Sequence, residues 1–291
     1  LKYSIKFFFL LYLSIMKKVI ILTPVFNDWK SLYKLLKEIN VCLKKSSKNI
    51  EILIIDDCST EKFNKTLKIK GNIKKIKILK LNNNIGSQQA IFKGLKYLYK
   101  LKKKAIVAIM DSDGEDDVKA LKNMINLARK NSNYVITGNR NSRSEGFVFK
   151  LLYNLHLIIT FILTGKYLNF GNFSAFNSIK LKEILQNNNL KIAYSAGLKK
   201  NIKNLIPFYS NRKKRYFGNS KASFYFLFKH SFNILTVFKN ELFLRSLVIS
   251  ILIYAFNYYN NFAYFLLIIF LILILNIIIR INFILKNKSK S

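Results

Sequence analysis

Residues Ile106–Asp117 read IVAIMDSDGEDD, an apolar run that ends in five carboxylates within seven residues. A short, continuous apolar run is how a strand buried on both faces of a parallel sheet reads. Its abrupt acidic end puts Asp111 and Asp113 at a strand terminus. Two carboxylates at i and i+2 can share a hard divalent ion, leaving its other positions to water and phosphate oxygens. A calcium loop is excluded: it needs Gly sixth and Glu twelfth, whereas here Gly114 is fourth and Lys122 twelfth. A solvated Asp–Gly turn is the competing reading.

Outward from this stretch, strand and helix signals alternate. KVIILTPVF, IEILIIDD, IKILKL and YVITGNR read as further strands. Between them, WKSLYKLLKEINVCLKK (opened by Asp28), SQQAIFKGLKYLYKLKK and ALKNMINLARK space their apolar residues as helices do. The alternation predicts an open α/β sheet, mostly parallel and flanked by helices. Ligands of such sheets sit at the carboxyl ends of the strands. The polar clusters Asn27-Asp28, Asp56-Asp57, Asp111–Asp117 and Asn139-Arg140 all fall there.

The chain has 291 residues, 51% of them hydrophobic, and a formal charge of +36. That charge implies attraction to anionic surfaces, phosphorylated substrates among them. Only seven of the basic residues are Arg, and four of these form two pairs, Arg140 with Arg143 and Arg212 with Arg215. Arg retained in a Lys-rich chain reads either as surface ion pairing or as a need for the planar fork that grips phosphate. Cys42 and Cys58 lie far apart and predict a reducing compartment rather than a disulfide framework. His156 and His230 are isolated and read as packing residues.

Between Arg245 and Arg280 lie 34 residues without a charge. As one helix they would extend about 51 Å, against about 30 Å for a bilayer core. The polar patch Asn257–Asn261 divides them, which predicts a hairpin of two short spans, roughly Leu242–Tyr258 and Phe262–Ile279; a single tilted span is the alternative. Its loop is uncharged while the flanking segments are rich in Lys, so the flanks belong to the cytoplasmic side. Just before, Ser223–Lys239 places Phe224, Leu227, Phe228, Leu235 and Phe238 on what reads as one face of an interfacial helix. The first fifteen residues, LKYSIKFFFLLYLSI, resemble a signal peptide or anchor, although Met16-Lys17-Lys18 reads as a natural start.

Six motifs occur in order: TPVFND, IDDCST, NNNIGSQQAIFKGL, MDSDGEDD, ITGNRNSR and RYFGNSK. Together they resemble the family 2 glycosyltransferases of GT-A fold, and within them polyprenyl-phosphate glycosyltransferases such as dolichol-phosphate mannosyltransferase. The resemblance implies a GT-A catalytic domain over 16–218, a leader or start-site artefact over 1–15, a juxtamembrane segment over 219–240, two transmembrane helices over 241–285 and a basic cytoplasmic tail over 286–291. It implies an enzyme of the inner membrane, multi-pass, with its catalytic domain facing the cytoplasm. It also implies roles for residues. Pro24, Phe26, Asp28, Asp56, Asp57, Gly86 and Ser220 would bind the donor. Asp111, Asp113 and Glu115 would hold Mg²⁺ or Mn²⁺. Asp111, Asp113, Arg215 and Lys221 would carry catalysis, and Arg140 and Arg143 would meet the acceptor. Three departures stand out: Cys58 replaces a usual Gly, the Pro after the acidic cluster is missing, and Asn172 and Ser174 replace charged residues in NFGNFSAFNS.

The expected partners are a nucleotide-diphosphate sugar, a lipid phosphate acceptor and the membrane, with self-association as a further possibility. A phosphate acceptor is already an anion and needs no strong base. A saccharide hydroxyl on a lipid carrier is the alternative acceptor and would need one. A basic, non-enzymatic binder of membrane or nucleic acid has net charge alone in its favour. No aromatic-plus-basic nucleic-acid motif is present, so no nucleic acid is expected as a partner.

Overall fold

The computed structural model describes residues 18–47, 49–61, 67, 69, 71–141, 147–218, 224–256 and 262–288. The expected leader over 1–15 and the charge-free patch at 257–261 lie outside them. By contact the chain divides into two units, one of 1–144 with 170–220, the other of 145–169 with 221–291.

The first unit is built on a seven-stranded sheet of order β3-β2-β1-β4-β6-β5-β7. The strands are β1 Lys18–Val25, β2 Asn49–Asp56, β3 Ile73–Lys80, β4 Ile106–Ile109, β5 Val135–Arg140, β6 Phe170–Asn177 and β7 Leu205–Ser210. All neighbours run parallel except β6, which is antiparallel to both β4 and β5. The helices α1 Trp29–Cys42, α2 Ser87–Lys100 and α3 Val118–Lys130 form the connections that the apolar spacing predicts.

Period-two alternation sorts each strand between two cores. Val19, Ile21, Ile52, Ile54, Ile106 and Ala108 join the cluster that also holds Leu32 and Leu36 of α1 and Leu121 and Met124 of α3. Ile20, Leu22, Leu53, Ile55, Val107 and Ile109 join the cluster holding Ile91 and Leu95 of α2 and Tyr194 and Leu198. Because β1, β2 and β4 are buried on both faces, they read as nearly continuous apolar runs. β3 is an edge, and its exposed lysines discourage further strand pairing. β7 is the opposite edge and accommodates Pro207, which a central strand would not.

The sequence reading foresees neither the edge strand β7 nor, mid-sheet, β6. The FGNFSAFN of β6 carries Gly, Asn and Ser, yet Phe173, Ser174, Ala175 and Phe176 are buried mid-sheet. The Ser174 hydroxyl shares a buried hydrogen bond of 2.8 Å with the Tyr194 hydroxyl, so its polarity is satisfied.

The second unit is helical: α4 Phe147–Thr164, which interrupts the run 16–218 between β5 and β6, then α5 Phe224–Val237, α6 Lys239–Phe256 and α7 Phe262–Lys288. (Tyr194–Asn201 and shorter helices belong to the first unit.) The helical unit buries polar side chains alongside apolar ones such as Ile234, Val237 and Leu242, and exposes many large apolar ones. Thr160, Thr164, Thr236, Ser246 and Asn276 are buried, while Leu155, Ile158, Ile251, Phe270 and Ile277 are exposed. Asn276 donates to Ser246 Oγ at 2.9 Å and Asn282 to Thr236 Oγ1 at 2.8 Å. Arg245 donates to the Ile162 carbonyl at 3.2 Å. Among the described residues one helix is long and apolar enough to cross a membrane, the 23 residues Leu266–Lys288, few of which are buried. On the expected interfacial helix the apolar face is not uniform: Phe228 is exposed and Phe238 fully buried.

Candidate active site

The chain passes from β1 outward to β2 and β3, then returns to β4 on the other side of β1. Such a reversal leaves a crevice at the carboxyl ends of the two strands on either side of it. Here those ends carry Asn27-Asp28 and Asp111–Asp117.

The acidic loop sorts its carboxylates by partner. Asp117 is the N-cap of α3, accepting from the Lys119 amide at 3.1 Å, and pairs with Lys213 at 2.8 Å. Glu115 is ion-paired with Arg212. Asp116 accepts from the Asp111 amide at 3.4 Å. Asp113 accepts from the Glu115 amide at 3.0 Å and lies 3.5 Å from an Arg215 nitrogen. Asp111 faces the Asn172 side-chain amide, 3.1 Å from its nearer oxygen. Of the three residues expected to hold a metal, Asp111 and Asp113 stand together, whereas Glu115 is turned to Arg212.

Three of these groups are held in their acid form more strongly than usual. Burial, then the Asp113 charge, raises Asp111 against the opposing pull of Asn172, Arg212 and Arg140. Burial raises Asp113 although Arg215 and Arg212 pull it down. Burial, Asp111 and Asp113 together push Asp116 up to about 8. A divalent ion bound between Asp111 and Asp113 would favour their charged forms. Among the described residues no three His, Cys, Asp or Glu side chains form a ready-made metal cage. Two carboxylates completed by water and phosphate oxygens is the usual arrangement for Mg²⁺ and its relatives.

The segment after β7 closes over the loop. Lys213 N–H donates to the Glu115 carbonyl at 2.8 Å and Tyr216 N–H to the Asp113 carbonyl at 3.0 Å. Arg215 is ion-paired with Asp28, so one guanidinium joins the β1 end to the β4 end. The Tyr216 ring covers Gly114, where φ is +83° and a Cβ would sit 2.0 Å from a ring carbon. The sequence singles out Arg212 as one of a retained pair but does not place it beside Glu115. Nothing in the local pattern marks Tyr216 as the cover of the turn.

The other expected donor residues take distinct positions. Pro24 is buried within β1, in register with Ile55. Phe26 is exposed at the strand end. Asp56 accepts from the Ser59 amide at 2.9 Å. Asp57 is occupied structurally: its two oxygens accept from the Ile85 and Gly86 amides at 2.8 and 2.7 Å, organising the turn into α2. Gly86 takes φ +84° there with open space around it, so backbone conformation alone calls for glycine. Cys58, at a position expected to need glycine, adopts φ +62° itself. Asn27 ties the loop down, its Oδ1 accepting from the Thr60 and Glu61 amides at 2.9 and 3.1 Å. Arg140 lines a polar cleft with Asp111, Asp116, Asn172 and Arg212. Arg143, Ser220 and Lys221 lie outside the described residues.

Several solved structures share this fold. Glucosyl-3-phosphoglycerate synthase from Mycobacterium tuberculosis, in complex with Mn²⁺, UDP and glucosyl-3-phosphoglycerate, aligns with TM-score 0.51 at 12% identity, over 77% of this chain and 80% of that one. The same synthase with Mn²⁺, UDP and phosphoglyceric acid gives 0.52 at 11%, over 77% and 78%. A crystal structure described as a mycobacterial protein gives 0.53 at 11%, over 77% and 74%. At these identities the likeness is one of fold. No curated protein matches. The family model for glycosyl transferase family 2 matches residues 20–202, which hold both strand ends and the acidic loop. The chain belongs to glycosyl transferase family 2 and is a glycosyltransferase.

Proposed function

We propose that this enzyme transfers a sugar from a nucleotide-diphosphate donor to a polyprenyl phosphate at a membrane, by a metal-assisted, inverting displacement. The observation that carries the reading is the juxtaposition of Asp111 and Asp113 with Arg215 at the sheet's switch point. Asp111 and Asp113 would hold Mg²⁺ or Mn²⁺, in keeping with the Mn²⁺ and UDP in the Mycobacterium synthase. Such an ion offsets charge on a departing diphosphate. Arg215 offers a planar fork to the diphosphate, and Arg140 one to the acceptor phosphate. A lipid phosphate oxygen attacks the anomeric carbon, the bond from that carbon to the diphosphate oxygen breaks, and nucleoside diphosphate leaves. No proton has to move in this step.

The second unit supports the lipid half of the reading. Helices with buried Asn, Ser and Thr and exposed Leu, Ile and Phe suit a hydrocarbon solvent. Leu266–Lys288 would extend about 34 Å, enough to span, and α6 with α7 would form the hairpin. The lysines at 286 and 288 would keep that end in the cytoplasm with the catalytic unit. Transfer to a lipid-linked saccharide hydroxyl is the second reading, favoured by the loss of charge at Asn172 and Ser174.

Thermal unfolding of the detergent-solubilised chain with Mn²⁺ and a panel of nucleotide sugars tests the donor assignment. One nucleotide sugar is expected to raise Tm, since a ligand at a hundredfold its Kd stabilises by about 2.7 kcal/mol. No rise with any of them, and no transfer to polyprenyl phosphate, would oppose the proposal.

A further inference from the structure

A directed chain of hydrogen bonds ends on Asp111. It begins at the backbone N–H of Tyr194, which can only donate and meets Gln88 Oε1 at 2.6 Å. That contact fixes which way the Gln88 amide points. Gln88 Nε2 then donates to Asn172 Oδ1 at 3.0 Å. With its oxygen so engaged, Asn172 turns Nδ2 to Asp111, 3.1 Å from one carboxylate oxygen and 3.5 Å from the other. The β4–β6 register explains the meeting: Ile109 pairs with Ser174, so two places further on Asp111 stands opposite Asn172 on the same face.

We propose that Asn172, oriented by Gln88, is a positioning residue that sets the Asp111 carboxylate for the divalent ion. The inference rests on the metal reading above. An amide suits this task. A guanidinium would neutralise Asp111 by itself, while a carboxylate at 172 would bring no hydrogen and add a like charge beside Asp113 and Asp116. Asn172 fixes the rotation of Asp111 and leaves its charge for the ion. The neighbour that presents itself to Asn172 is Gln88, and the two amides form a relay with one polarity.

Gln88→Glu tests the polarity without changing shape. One Glu oxygen still accepts from Tyr194, but the other now faces the Asn172 oxygen, so the Asn172 amide turns over and presents oxygen to Asp111. Binding of Mn²⁺ alone, followed by electron paramagnetic resonance on the full chain in detergent, reads the result. Groups that orient metal ligands are typically worth 10- to 100-fold in affinity. Both Asn172→Ala and Gln88→Glu are therefore expected to weaken Mn²⁺ binding by about that much with Tm held within a few degrees. The double variant should be no weaker than Asn172→Ala, because the two act through one contact. Asp111→Asn is the control. If it binds Mn²⁺ like the wild type, the metal reading itself fails. If it loses Mn²⁺ while Asn172→Ala and Gln88→Glu stay within twofold of wild type, the relay is overturned and the metal reading stands.

Discussion

Gly114→Ala is the sharpest perturbation of the closed site. Gly114 takes φ +83°, and an added Cβ would lie 2.0, 2.2 and 2.4 Å from three carbons of the Tyr216 ring. Carbon atoms in contact stand about 3.5 Å apart, so the ring has to retreat by about 1.5 Å. The left-handed backbone costs an L-residue roughly 1–2 kcal/mol. Displacing Tyr216 also strains its hydrogen bond to the Asp113 carbonyl, worth about 1 kcal/mol net. The sum is about 2–3 kcal/mol, or a fall in Tm of roughly 4–12 °C for a unit of this size. Activity suffers further, because Arg215 and Arg212 travel with Tyr216 and a 1 Å misplacement at a reacting centre costs about 10²-fold. The assay is a double-mutant cycle read by thermal unfolding and by transfer rate. In a Tyr216→Ala background the added methyl meets no ring, so only the backbone cost remains, and the cycle should show a coupling of about 1 kcal/mol or more. Additive effects would refute the placement of Tyr216 over Gly114.

Two further outcomes follow from the structure. Cys58→Gly relieves a residue at φ +62°; the gain of about 1 kcal/mol is partly offset by glycine's freedom in the unfolded chain, so a rise in Tm of roughly 2 °C is expected, and a fall would show that the Cys58 Sγ contact to the Asn82 carbonyl matters more. Glu51 is opposed by burial but held below the usual carboxylate range by hydrogen bonds from Lys18 and Lys103, at 2.8 and 2.9 Å. Its lowered value means the pairing stabilises above the unfolded value of about 4.3 and fades as pH falls through the folded one. Glu51→Gln should therefore lower stability by about 1 kcal/mol at pH 7 and by nothing measurable near pH 3; an equal loss at both would contradict the ion pairing.

What could be read from the sequence follows the physics of burial. β1, β2 and β4 announce themselves because a strand covered on both faces has few polar positions, Thr23 and Glu51 among them, and each ends where the sheet meets water. β6 escapes the same reading because its polar residues are satisfied by partners distant in sequence: Tyr194 for Ser174, Gln88 and Asp111 for Asn172. The adjacent acids Asp56 and Asp57 look alike in the chain, and only the fold shows that Asp57 is consumed in shaping the Gly86 turn. Glu115 likewise reads as one more carboxylate until the segment after β7 brings Arg212 to it. The signal for α4 is present, since FVFKLLYNLHLIITFILT is apolar around most of its circumference. Reading for motifs passes over it because it carries none.

The product decides the central claim most directly. The full chain in detergent, given Mn²⁺, a labelled nucleotide sugar and polyprenyl phosphate, is expected to move label into the organic phase, from which mild acid releases it, as a sugar phosphate linkage requires. Label that stays in the aqueous phase, or an extracted product that withstands mild acid, would contradict transfer to a lipid phosphate.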